Sequence, residues 1–230
     1  SANWSASSDP HSGILSYWYC VGTTAGASDS LSWTGNGNAT TATFPASSLP
    51  DGQILYFTVK AENNAHLFSN ATSTDGILKD SSPPVAISYV YDGTGADISY
   101  STDPSHLSAN WAASADPHSG LARYWYSAGT SAGASDTVPW TDNALATSVS
   151  LSSLSLVDGV DYYFSVKAEN NVGLLNSVVS SNGVRVDTSA PTPVALVNDG
   201  TGQDVSITMT GDRLSANWTA STDTHSPISA

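Results

Sequence analysis

The strongest pattern in the chain is an alternation of apolar and polar positions with period two, clearest at 161–169. Tyr162, Phe164, Val166 and Ala168 fall on one parity; Tyr163, Ser165, Lys167 and Glu169 fall on the other. Successive side chains of a strand point to opposite faces, so this stretch predicts a strand with one face in a core. The same reading makes 121–129 a strand, with Tyr124, Tyr126 and Ala128 opposed to Arg123, Trp125 and Ser127. Shorter extended runs are expected at 85–91, 97–101, 107–113, 148–156 and 183–187, with one more around Trp140. Turn formers separate them: Asp92-Gly93, the DPHSG segment at 116–120, and Asp158-Gly159. No segment carries a helical period of useful length. Seven or eight short strands in roughly a hundred residues predict an antiparallel sandwich.

The pattern then repeats. Ser-Ala-Asn-Trp stands at 1–4, 108–111 and 215–218, so Trp4, Trp111 and Trp218 are spaced by a constant 107 residues. The same offset pairs 9–13 with 116–120, Tyr17-Trp18-Tyr19 with Tyr124-Trp125-Tyr126, and VKAENN at 59–64 with 166–171. A fixed period of this kind marks a tandem array. The expected organisation is a first module at 1–82 without its first strand, a complete module at 83–189, and the first strands of a third at 190–230. In each copy the repeated Trp is expected to be buried, making Trp4, Trp111 and Trp218 core anchors together with Tyr162.

These residues resemble the fibronectin type III domain. Its marks here are the Trp on the second strand, the Tyr on the third, and Leu156 six residues before Tyr162 in a strand continued by Phe164, Val166, Ala168, Asn170 and Gly173. More narrowly, the D-G-T-G-x-D, L-S-A-N-W and D-P-x-S-G segments are similar to a repeat found in tandem in large exported bacterial and archaeal surface proteins. The resemblance implies an all-β chain of tandem fibronectin type III or immunoglobulin-like sandwiches and is nearly silent on function. The first copy departs from it. Leu55 stands where Tyr162 stands in the second, and His66 where Gly173 does. Loss of the tyrosine's hydrogen bond is expected to cost that copy about 1 kcal/mol.

Charge and composition narrow the partners. The net charge is −14, with only six Lys and Arg in 230 residues. No basic patch can neutralise phosphates or anionic headgroups, so nucleic-acid binding is not expected, and no apolar run approaches the roughly 20 residues of a membrane helix, so membrane insertion of this segment is not expected either. The single cysteine, Cys20, is replaced by Ser127 in the next copy and reads as a small buried residue.

Three sets of residues could carry chemistry. The Asp-His pairs Asp9/His11, Asp116/His118 and Asp223/His225 recur in one loop and lack a nucleophile at any recognisable spacing, so they read as turn formers. Asp92 and Asp97, like Asp199 and Asp204, flank a Gly-Thr-Gly turn near the linker residues Asp80 and Asp187; these are the candidate calcium ligands, and no other cofactor is expected. Trp18 and Trp125 point away from the core, beside Tyr56 and Lys60 or Tyr163 and Lys167. They read either as a cation–π and aromatic ladder or as a platform for glycans or a neighbouring subunit. Four N-x-S/T sequons, at Asn3, Asn38, Asn70 and Asn217, are within chance for this composition.

The expected role is therefore not enzymatic. It is a structural array on the outside of a prokaryotic cell: a stalk, surface layer, filament or adhesin spacer. Its partners would be neighbouring modules or identical subunits, with head-to-tail strand complementation as one mode of assembly. The alternative is a spacer or glycan-binding accessory region of a secreted polysaccharide-degrading enzyme.

Overall fold

The computed structural model describes residues 1–207, 211 and 213–228. They contain strands and turns, and among them no helix is long and apolar enough to cross a membrane. Two compact units are present. The first comprises Ser1–Val85 with Ala115–Ala122 and Glu169–Leu175; the second comprises Ala86–Ser114, Arg123–Ala168 and Asn176 onward.

In the first unit, β1 (Ala2–Asn3) pairs with β4 (Thr41–Ala42). Across from them β3 (Leu31–Gly35), β2 (Ile14–Gly22) and β5 (Ile54–Asn63) form an antiparallel sheet that β6 (Thr72–Ser73) and β7 (Ile77–Leu78) extend along β5. Val21, Ala42, Leu55 and Phe57 are buried at its centre, with Trp4, Tyr19, Leu31 and Leu49 packed around them. Leu55, where the repeat otherwise has Tyr, fills the core as a plain apolar side chain.

The second unit is fuller. One sheet runs β13 (Ser148–Leu151), β10 (Leu107–Trp111), β8 (Val90–Asp92). The other runs β12 (Val138–Asp142), β11 (Leu121–Gly129), β14 (Asp161–Asn170), β16 (Val184–Val186), β9 (Tyr100–Ser101), with β15 (Val179–Ser180) also on β14. β16 pairs with β9 in parallel, through Arg185↔Tyr100, whereas β10 with β8 and β13, β11 with β12, and β14 with β15 and β16 pair antiparallel. The alternation of 161–169 holds: Tyr162, Phe164, Val166 and Ala168 are buried. Trp111, 3 % exposed, sits edge-on to Tyr124 at 5.9 Å, and Trp4 repeats that contact with Tyr17 at the same distance. In each copy the tyrosine hydroxyl accepts the amide of the chain leaving the Trp strand, Ser7 N at 2.7 Å and Ser114 N at 2.7 Å.

Two outward positions prove to be interior. Ser165 and Ser127 are fully buried because the loop at 130–136 folds back over them: Gly133 N donates to Ser165 Oγ at 2.9 Å and Ser127 Oγ donates to Ala134 O at 3.1 Å. The first copy does the same with Thr58 and Cys20, which are buried under the loop that carries Gly26. Burial pushes the Cys20 thiol up, the direction expected of an unreactive packing residue.

Trp218 corrects an expectation. It is 65 % exposed, because β18 (Ala216–Trp218) pairs only with β17 (Val197–Asp199) and no second sheet covers it among the described residues. The tyrosine corner is present: Tyr162 Oη accepts from Val157 N at 2.9 Å beside buried Leu156. Tyr162→Phe should cost about 1 kcal/mol, read as a lowered urea midpoint with unchanged slope; no change would mean that water replaces the bond.

Candidate functional site

The DPHSG loops are shaped by their first residue. Asp116 Oδ1 accepts the amides of His118 (3.0 Å) and Ser119 (2.8 Å), and Asp9 and Asp223 do the same for their own loops at 2.8–2.9 Å. The carboxylates are thus spent on turn geometry. Asn63, followed by the Ser12 and His11 amides, draws the Asp9 carboxyl down to about 2. Burial works to raise Asp116, but the donors from Asn170, Ser119 and His118 outweigh it and hold the group low.

These loops have partners that the sequence did not suggest. In the first unit His118 comes to rest on Gly52, whose φ of +80° no Cβ could share with it: a Cβ there would lie 2.7 Å from the imidazole Cδ2. Beside it Asp80, whose side chain is fully buried, accepts from Ser82 N and Ser82 Oγ at 3.0 Å, from Ser119 Oγ, and from Asn170 Nδ2 at 3.2 Å. The hydroxyl of Ser119 leads the interactions that lower the Asp80 carboxyl. Asn170 also donates to Ser82 O and Asp116 Oδ2, both at 3.0 Å. Asp51, next to Gly52, takes Lys79 Nζ at 2.6 Å and Ser81 N at 3.0 Å, and Lys79 together with Ser81 draws its carboxyl to about 2. The ligand atoms of Asp51, Asp80 and His118 all lie within 4.8 Å of one another.

The second unit builds the same set at the 107-residue offset. Asp158, Asp187 and His225 converge within the same limit, and His225 rests on Gly159 at φ +78° as His118 does on Gly52. In the sequence these residues stand apart: Asp158 is expected in an Asp-Gly turn, Asp80 and Asp187 on the linker near the hairpin, and His118 and His225 in the recurring Asp-His loop, while Asp51 draws no expectation. The available signal was that all three members recur together at one offset.

The hairpin aspartates are differently disposed. Asp97 is exposed; its Oδ1 accepts from Asp92 N at 3.0 Å and its Oδ2 from Asn182 Nδ2 at 2.9 Å. Asp204 Oδ1 closes the corresponding turn on Asp199 N at 3.0 Å, and both of these residues are exposed. Asp92, by contrast, points into the sandwich and is fully buried, with Oδ2 accepting from Gly183 N at 3.1 Å and Oδ1 without a partner.

On the outer face, Trp18, Trp125, Tyr56 and Tyr163 are all half-buried. Trp18 donates to Glu62 Oε2 at 2.8 Å, and His66 Nδ1 meets the other oxygen at 2.8 Å. The lysine beside them chooses a ring that the sequence reading missed. Lys60 Nζ lies 4.3 Å from the Trp33 ring and 4.2 Å from Phe68, and Lys167 Nζ lies 4.2 Å from Trp140. Tyr56 and Tyr163 leave this ladder and lie against Gly76 and Gly183.

No protein-family model matches the chain. No curated protein matches it either. Among solved structures it is similar to the chicken CNTN1 FN1–FN3 domains at 16% identity and a TM-score of 0.39, over 74% of this chain and 56% of that one. It is also similar to fibronectin(III)-like modules of Clostridium thermocellum CbhA at 12% identity and a TM-score of 0.35, over 79% of this chain and 82% of that one. The second unit is an all-β sandwich of β13-β10-β8 and β12-β11-β14-β16, and this strand order together with the tyrosine corner is that of a fibronectin type III-like fold.

Proposed function

We propose that this chain is a non-catalytic spacer outside a prokaryotic cell, a run of β-sandwich repeats that holds distance in a stalk, surface layer, filament or adhesin. The observation that carries the reading is the twice-built set of Asp51, Asp80 and His118 and of Asp158, Asp187 and His225. Each set pins the short segment after a sandwich strand by side-chain hydrogen bonds, Asp80 to Ser82 and Ser119, Asp187 to Ser189. A segment so tied loses the freedom of a flexible linker.

Small-angle X-ray scattering of the chain and of an Asp80→Ala/Asp187→Ala variant tests stiffness. The parent should give one narrow distribution of interatomic distances and the variant a broader one with a larger radius of gyration. Superimposable profiles would remove the argument. Binding of glycans that Trp18→Ala or Trp125→Ala abolishes would favour an accessory region of a polysaccharide-degrading enzyme instead. Polymerisation by strand addition is a further form of the same array. Mass growth with concentration in sedimentation equilibrium would establish it.

A further inference from the structure

The two Asp-Asp-His sets are alike in position and unlike in charge. In the first, Lys79 Nζ lies 2.6 Å from Asp51 Oδ1, so the cluster already holds a cation. At the corresponding position the second unit has Val186, which is fully buried. The nearby Arg185 makes two bonds of 2.8 Å to Asp161, and its Nη1 reaches the His225 carbonyl oxygen at 3.5 Å. Among the described residues, Asp158 therefore faces His225 without the lysine that Asp51 is given.

The geometry around that gap is that of a chelate. His225 Nδ1 lies 3.2 Å from Ser189 Oγ, 3.3 Å from Asp158 Oδ2 and 3.9 Å from Asp187 Oδ1. One ring nitrogen carries at most one proton, so it can satisfy only one of these three oxygens. Tetrahedral coordination with bonds of about 2.0–2.1 Å sets neighbouring ligand atoms roughly 3.3 Å apart; the His225–Asp158 separation of 3.3 Å matches it, and Asp187 Oδ1 at 3.9 Å lies about 0.6 Å outside it. The ligands are also held in aim from behind. Thr188 N donates to Asp158 Oδ1 at 2.7 Å, behind the Oδ2 that faces His225, and Asp223 Oδ1 fixes the His225 backbone at 2.9 Å while the ring rests on Gly159; Ser189 N and Oγ, at 3.1 and 3.0 Å, share Asp187 Oδ1 with the site. Such outer hydrogen bonds are what orient metal ligands.

We propose that Asp158, Asp187 and His225 bind one divalent cation of the zinc or cobalt class, and that Lys79 takes the place of that cation in the Asp51, Asp80 and His118 set. An imidazole with two carboxylates suits such ions, whereas calcium favours an all-oxygen shell. The bound ion would staple the 158–159 turn, the 187–189 segment and the 223–226 loop.

The test uses the full 230-residue chain without a polyhistidine tag, stripped with chelator. Cobalt(II) is followed by its visible absorption and zinc(II) by calorimetry. One equivalent should bind to the parent. His225→Gln and, separately, Asp158→Asn should each weaken binding by more than the roughly 10–100-fold that loss of an orienting partner costs. Lys79→Val should raise the stoichiometry from one to two. Three outcomes each overturn the proposal: no saturable binding by the parent, binding that survives both ligand variants, or a Lys79→Val chain that still binds one ion. Thermal unfolding of each variant without metal shows whether it is folded, so a loss of binding in a folded variant is decisive.

Discussion

Trp111→Ala should destabilise the second unit by about 3–5 kcal/mol, while Trp218→Ala should change stability by less than about 0.5 kcal/mol. The two residues occupy one position of the repeat, so sequence alone would assign them one effect. The structure separates them, since Trp111 is 3 % exposed and Trp218 65 %. Removing Trp111 takes away the edge contact with Tyr124 and opens space beside Ala109 and Leu107, both essentially fully buried. It also removes a cost, because the indole Nε1 is buried without a hydrogen-bond partner, which places the expected loss in the lower half of the range. Calorimetry should show one transition moved down in Trp111→Ala and the profile of Trp218→Ala overlying the parent. Equal shifts in the two variants would mean that Trp218 is packed in solution.

The difference between those tryptophans marks what the sequence could and could not say. Period-two alternation placed β11 and β14 almost to the residue, because a strand with one dry face and one wet face writes its geometry into its composition. It failed at Ser165 and Ser127, small polar residues on the outer parity that a returning loop covers. Serine reads the same whether water or a backbone amide satisfies it. The expected strand at 85–91 shrinks to Val90–Asp92, since its earlier residues follow Pro83 and Pro84 and turn to another partner, Val85 N donating to Ala115 O at 2.8 Å. The clusters of Asp51, Asp80, His118 and their counterparts are long-range in sequence, and nothing local distinguishes Asp51 from any other Asp before Gly. The outer ladder was legible in kind and not in partner: a lysine amid aromatics was foreseen, but the rings that it meets are Trp33, Phe68 and Trp140.

Asp92→Asn should stabilise the second unit at neutral pH and leave it nearly unchanged below pH 4. Burial, reinforced by the charge of Asp97, pushes the Asp92 carboxyl up to about 6 against the opposing hydrogen bonds of Ser181 and Gly183 N. The folded protein therefore holds this proton more tightly than the unfolded chain, whose carboxyl has the ordinary value of 3.8. Its contribution is most favourable below pH 4, declines as the pH rises through 4 to 6, and is flat above, the reverse of a salt-bridged aspartate. The interval between about 6 and 3.8 corresponds to about 3 kcal/mol, an upper bound on the neutral-pH gain. Asparagine keeps an acceptor for Gly183 N and brings no charge into the sandwich. Asp9 and Asp51, which are held low, impose the opposite slope on the whole chain, so the quantity to measure is the difference between variant and parent. Urea denaturation in chelator from pH 3.5 to 7.5 should show that difference opening between pH 4 and 6 and then holding constant. A difference independent of pH would mean that Asp92 is ionised throughout, with its free Oδ1 satisfied by water or by a cation.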